Sequence, residues 1–246
     1  MEPLKTTGIV IRTSQGKENS LALTVLSPDM GKISIWARGA RSPKNPMHSA
    51  CTLLSYGEFI LLPRGEMYSL TAASAIHSFY HLREDVEKLS FAVYFAELAG
   101  LVSGEGTEAE EIVRLLLNSL HYLENDLKDP VDLKVMYELK LMCAAGFMPH
   151  IEGCMQCGAE NAPVFSPAEG GLLCTGCSHL RPLSKGAHSL LCGYVVKGLK
   201  TCLDATGGDG AKELAAPVEQ FVCHHTELVP RSLEYLHKIR NISVNE

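Results

Sequence analysis

What the sequence lacks narrows it first. No apolar run approaches the ~20 residues that span a bilayer. The first residues, MEPLKTTGIVIRTS, show neither the apolar core nor the small-residue cleavage site of a secretory leader, so a cytoplasmic protein without membrane contact is expected. A disulfide framework is missing too. Nine cysteines is an odd number, and Cys51, Cys143, Cys192, Cys202 and Cys223 are scattered through apolar surroundings, which fits a reducing compartment. No Ser-His-Asp set, carboxylate pair or nucleotide-binding fingerprint can be assembled from local spacing. Gly207-Gly208-Asp209-Gly210 follows no strand and precedes no Gly-Lys-Ser/Thr, so it reads as a flexible turn. The expectation is a protein that is not an enzyme.

Net positive charge is also absent, since the total is −6. That total hides an asymmetry: residues 1–75 carry +3, residues 76–153 carry −8 and residues 154–246 carry −1. A basic N-terminus joined to an acidic middle suits a first part that meets a polyanion.

What is present begins with short strands. LKTTGIVIRTS, SLALTVLS, GKISIWARGA, YGEFILLP and MYSLTAAS are rich in β-branched and aromatic residues and partly alternate. Gln15-Gly16, Ser27-Pro28-Asp29 and Pro63-Arg64-Gly65 separate them as turns. Five strands over residues 1–78 predict an OB-fold β-barrel, with a helix in RSPKNPMHSACTLLS; an SH3-like barrel has a similar strand count. The fold class is then α+β and multidomain. An α-helical domain over 79–246 follows the barrel and carries an inserted zinc ribbon at about 150–182.

The helical expectation rests on period. REDVEKLSFAVYFAELAGLV is apolar around most of its circumference. Thr107 and Glu110 predict a capping box for a second helix. Asp129 and Pro130 open a third, and Gly146 with Pro149 close it. These three predict a bundle to which the C-terminal helices return, with Pro217 kinking or breaking one of them.

The strongest motif is Cys154-x2-Cys157 with Cys174-x2-Cys177. Two knuckles bring four thiolates onto one ion in the manner of structural Zn²⁺, and four sulfur ligands leave no open position for water. His150-x-Glu152 echoes a zinc-deaminase pattern, but only Gly153 separates it from Cys154, too little for the two helix starts that chemistry needs. Between the knuckles there is no Lys or Arg, so the ribbon offers phosphate little. His179, Arg181, Lys185 and His188 form a mild positive cluster after it, and Cys223-His224-His225 reads as ordinary helix surface.

The second motif is ARGARSPKN. Arg38, Arg41 and Lys44, supported by Lys32 and Arg64, stand beside the single tryptophan, Trp36. Cations with an aromatic and flexible Gly and Ser suit a groove that tracks phosphates while bases stack; a solvated loop has the same composition.

Taken together, GKISIWARGAR, the helical middle, LMCAAGFMPHIEGCMQCG, FSPAEGGLLCTGC and the final RSLEYL resemble the bacterial RecO family of DNA repair and recombination mediators. The resemblance implies a nonenzymatic protein of the RecF pathway. Such a protein binds single- and double-stranded DNA, anneals complementary strands and, with RecR, loads RecA on DNA coated by single-stranded-DNA-binding protein. It implies DNA contact by Lys32, Arg38, Arg41 and Lys44, capture of that protein's acidic C-terminal tail by the helical part, and nucleoid association when engaged. Some members of the family lack the zinc cysteines, which implies a scaffold role for them. The acidic middle of this chain means that tail capture needs a local basic and apolar pocket. A zinc-ribbon RNA-processing factor, or an enzyme that positions its substrate on the barrel, is the alternative reading.

Overall fold

In the computed structural model, which describes residues 2–243, the N-terminal strands close into a barrel. They are β1 (Leu4–Gln15), β2 (Leu21–Ser27), β3 (Gly31–Ala37), β4 (Tyr56–Arg64) and β5 (Met67–His77), in the cyclic order β1-β2-β3-β5-β4. All neighbours are antiparallel except β3 and β5, which run parallel through Ile35↔Tyr68 and Trp36↔Ser69. Closure of β4 onto β1 and the crossover of β5 to β3 give the Greek-key order of the OB fold, and the SH3-like alternative falls away.

Alternation fills the barrel. Leu21, Leu23 and Val25 of β2 and Ile33, Ile35 and Ala37 of β3 meet Val10, Phe59, Leu61 and Leu70 inside. The intervening Thr24, Lys32, Ser34 and Trp36 face outward and are half-buried.

The helix expected between β3 and β4 does not form. Residues 38–55 are a chain of turns with a single 3-10 turn at Ser49–Cys51. Pro43 and Pro46 withhold backbone donors there, and Gly39 (φ +68°) and Leu54 (φ +62°) turn the chain left-handed at either side. A bulge in β1 between Val10 and Arg12 makes use of the segment: Val10 N–H bonds Ser55 O at 2.9 Å and Val10 O accepts Leu54 N–H at 2.8 Å.

Seven α-helices follow among the described residues: α1 (Val86–Val102), α2 (Glu110–Glu124), α3 (Pro130–Ala144), α4 (Lys185–Val196), α5 (Leu199–Asp204), α6 (Gly208–Thr226) and α7 (Arg231–Ser243). Packing groups the chain into two compact units. The barrel, α1, α2 and α7 make one, and Asn125–Val229 make the other. Strands end where the pattern changes near residue 78, but the barrel unit continues to the end of α2.

Two expectations are corrected. The first three helices are not one bundle, because α1 and α2 pack with α7 and the barrel while α3 packs against α4, α5 and α6. The nearly all-round apolar α1 is covered by α2, α7 and β1. The Thr107 capping box is also absent: α2 opens at Glu110, with Val113 N–H bonded to Ala109 O. Residues 104–109 are spent on the barrel instead, through Lys32 N–H to Gly104 O, Gly106 N–H to Met30 O and Ala109 N–H to Pro28 O.

Other helix ends follow the sequence. Asp129 accepts from Val131 and Asp132 N–H with Pro130 in the first turn, and Gly146 (φ +88°) ends α3. α6 runs through Pro217 without a break. Its start lies in the glycine run read as a flexible turn: Gly207 is the N-cap, its N–H bonds Asp132 Oδ2 at 2.6 Å, and a Cβ there would overlap that carboxylate.

Candidate metal centre and nucleic-acid interface

The second unit carries a small ribbon, β6 (Val164–Ser166) paired with β7 (Gly171–Leu173). Each end bears a knuckle. In the first, Gly158 N–H bonds Cys154 O at 2.8 Å and Cys154 N–H bonds Ala159 O at 2.8 Å. In the second, Cys177 N–H reaches Cys174 O at 3.1 Å. Gly153 takes φ +80°, and a Cβ there would come within 2.9 Å of Ala159 O, so only glycine closes the first loop without strain.

The four sulfurs of Cys154, Cys157, Cys174 and Cys177 lie within 4.8 Å of one another, close enough to hold a metal ion, and Cys157 and Cys174 Sγ are 3.6 Å apart. Backbone N–H groups aim at them. That of Cys174, with those of Cys157 and Gln156, brings the Cys154 thiol down to about 6. The Cys174 thiol is lowered as well, first by Cys177. The Cys177 S–H donates to the Cys174 and Cys157 sulfurs, which holds that thiol up at about 12. A cation that displaced the thiol protons would take all four as thiolates. Among the described residues the cluster contains no His and no carboxylate, so this donor set fits a closed site. His150, from the deaminase-like pattern, bonds the Glu152 carbonyl with Nε2 instead, at 3.1 Å.

The His224-His225 run has a use that the sequence did not disclose. His225 Nε2 bonds Pro167 O at 2.9 Å and its ring packs on Phe221 and beside Gly170, tying α6 to the β6–β7 turn.

On the barrel, the six residues expected to meet DNA divide. Trp36, Arg38, Arg41 and Lys44 gather at the end of β3 and in the loop that leaves it. This end also holds the β1–β2 turn: a Cβ on Gly16 would overlap the Trp36 ring, and Arg41 bonds Gln15 Oε1 at 2.9 Å and Asn19 Oδ1 at 3.0 Å. Arg38 and Lys44 are exposed and have no hydrogen bond or ion pair among the described residues.

Lys32 and Arg64 stand elsewhere. Lys32 Nζ donates to Gly100 O at 3.0 Å in the last turn of α1, where a cation complements the helix dipole. It lines a cavity of about 320 Å³ with Asp29, Glu66 and Glu105, carboxylates that lower the local potential. Arg64 is exposed in the β4–β5 turn, two residues from Glu66.

Of the exposed barrel cations that sequence reasoning missed, Lys5 is paired with Glu58 at 3.1 Å, while Arg12 and Lys17 hold no ion pair among the described residues. Arg12 pairs with Thr24, which pairs with Ser34, so it flanks a row of small polar residues on the outer wall. Lys17 lies in the β1–β2 turn beside Trp36. Alternation along β1 could have placed Arg12 outward, but the bulge at Val10 shifts the phase.

Comparison with known proteins divides the chain near residue 80, where the barrel strands end. Residues 1–79 match the family model described as Recombination protein O N terminal, and residues 83–193 match Recombination protein O C terminal. The chain is 34% identical over 252 residues to a protein of Desulforudis audaxviator named DNA repair protein RecO, covering 97% of this chain and 98% of that one. A protein of the same name from Acetivibrio thermocellus is 34% identical over 179 residues, 72% of this chain and 71% of its own. A third, from Symbiobacterium thermophilum, is 31% identical over 248 residues, 95% of this chain and 96% of its own.

Proposed function

The chain belongs to the recombination protein O family, and from that premise we propose that it is a nonenzymatic mediator of DNA repair and homologous recombination. It binds single- and double-stranded DNA, anneals complementary strands and, together with RecR, helps load RecA on strands coated by single-stranded-DNA-binding protein. Its helical part takes the C-terminal tail of that protein. It works in the cytoplasm, at the nucleoid when engaged. No helix among the described residues is long and apolar enough to cross a membrane.

One observation carries the reading: an OB barrel bears, at one end, an outward tryptophan and exposed cations that form no ion pair with an acidic side chain among the described residues. Annealing without nucleotide hydrolysis needs only that phosphate repulsion be screened while base edges stay free. Arg38 and Lys44 meet the backbone of one strand, Trp36 offers a face for stacking, and Arg41 belongs to the same platform. Lys32 and Arg64 stand outside this platform, where Asp29, Glu66 and Glu105 offset their charge. The four cysteines hold one Zn²⁺, which supplies cross-linking of the ribbon and no chemistry.

The test is an annealing assay with complementary oligonucleotides, bare and coated with single-stranded-DNA-binding protein, with and without RecR and without nucleotide. Faster annealing of bare strands, and of coated strands when RecR is present, is the expected outcome. No oligonucleotide affinity even at low salt would overturn the proposal in favour of a purely protein-binding scaffold.

A further inference from the structure

Arg41 differs from its neighbours in being already occupied. Its two terminal nitrogens donate to Gln15 Oε1 (2.9 Å) and Asn19 Oδ1 (3.0 Å), and its backbone N–H donates to Asn19 O at 2.9 Å. All three acceptors lie at the end of β1 and in the β1–β2 turn, 22 to 26 residues away in the chain. The turn is built to present them. Glu18 (φ +54°) and Asn19 (φ +58°) are both left-handed, and Ser20 N–H closes on Lys17 O at 3.0 Å, the pattern of a tight hairpin turn whose twist matches the strands. Asn tolerates this conformation and spends its side-chain oxygen on the guanidinium.

The loop of Arg38 and Lys44 needs such a hold. It contains no helix and no strand, only turns such as Ser42 N–H to Gly39 O at 3.2 Å and Asn45 N–H to Ser42 O at 2.9 Å. Val10 holds its far end through Leu54 and Ser55, and His48 Nδ1 closes it on Ala40 O at 2.8 Å; the end that carries Arg38 and Lys44 is held by Arg41. Without Arg41, that end would have to be ordered each time a strand binds, and that entropy would be subtracted from affinity.

Resting on the DNA-binding reading above, we infer that Arg41 is a positioning residue, which with Gln15 and Asn19 clamps the β3–β4 loop to the β1–β2 turn so that Arg38 and Lys44 are held ready for phosphate. A planar fork can serve two fixed oxygens at once; a single ammonium on a flexible stem cannot. The same ammonium is, however, a good partner for phosphate. Arg41→Lys therefore separates the two roles without changing charge, and Gln15→Ala with Asn19→Gly removes the two side-chain acceptors while glycine keeps the left-handed turn.

The measurement is binding of a fluorescent single-stranded oligonucleotide across a salt series, on variants whose melting temperature stays within a few degrees of the parent. Arg41→Lys and Gln15→Ala/Asn19→Gly are each expected to weaken binding about five- to tenfold, because ordering is no longer done in advance. The salt slope should stay at the parent value, since the same phosphates are neutralised. Combining all three substitutions should weaken binding no further than either alone. Parent-like affinity for Arg41→Lys, or losses that multiply in the combined variant, would overturn the clamp. Arg38→Ala/Lys44→Ala is the control for the DNA site itself. If that pair leaves affinity and slope unchanged, the site reading has failed; if it flattens the slope while Arg41→Lys binds like the parent, only the clamp has.

Discussion

Lys128 and Lys134, on and just before α3, expose 3% of their side chains, whereas Arg38 and Lys44 on the barrel stand in solvent. The buried pair is consumed inside its own unit. Lys128 Nζ meets Asp132 Oδ2 at 2.9 Å and donates to the carbonyls of Cys202 and Ala205, while Asp132 also accepts from the Tyr194 hydroxyl and Gly207 N–H. Lys134 meets Glu138 at 2.7 Å and Glu219 at 2.9 Å. Burial pushes the Lys134 ammonium down, but the two carboxylates outweigh it and hold it up. These charges tie α3 to α4, α5 and α6. Arg38 and Lys44 hold no such partners among the described residues. Charge counted along a sequence therefore mixes two populations, and only one of them is available for binding.

The comparison can be broken in order of effect. Chelation of the four-cysteine site comes first, because a structural metal contributes on the order of 10 kcal/mol to such a fold. Metal analysis should give about one zinc per chain, and its removal should open residues 150–182 to proteolysis while the barrel stays resistant. Protein purified without chelator and found free of metal would refute the site. Asp132→Ala is next. It strands a buried ammonium and the Gly207 N–H, and breaking a buried pair costs roughly 3–5 kcal/mol. Chemical denaturation should show the loss, with oligonucleotide affinity of the folded protein unchanged; a loss below about 1 kcal/mol would mean that the network is not paired as described.

Arg38→Ala/Lys44→Ala should do the opposite, leaving stability alone while reducing the slope of log affinity against log salt by about 1.4 for single strands. An unchanged slope would remove the loop from the DNA site. The smallest effect lies at the start of α7, where Glu97 accepts from Arg231 N–H at 3.1 Å and from Ser232 N–H at 2.8 Å. Burial raises this carboxyl, yet the Ser232 hydroxyl, the two N–H groups and the Arg231 charge together bring it below its ordinary value. A lowered carboxyl contributes stability above its unfolded pKa and loses it as pH falls through the folded one. Glu97→Gln should thus lower the melting temperature by a few degrees at most at neutral pH and converge with the parent in acid. A constant gap between the two would sink that account.

Much of the site was legible because it is local. Cys-x2-Cys spacing places both sulfurs of a knuckle on one short turn, so Cys154, Cys157, Cys174 and Cys177 could be grouped before any tertiary contact was known. Alternation in SLALTVLS and GKISIWARGA set the inner face of the barrel in the same way. Arg38 and Lys44 were visible as a run of cations. Lys32 belonged to the same composition but went to the C-terminus of α1, since nothing local to β3 reveals a carbonyl 68 residues away. The pairing of Arg41 with Gln15 and Asn19 was hidden for the same reason. So was Gly207, which reads as loose chain until Asp132 is seen against it.

By itself the sequence determined the strand and helix periods, the metal knuckles and the family, because each is written within a few tens of residues. Only tertiary structure decided which helices share a core and which cations stay free. Both depend on contacts between distant segments, where the interior demands a partner for every charge and the surface does not.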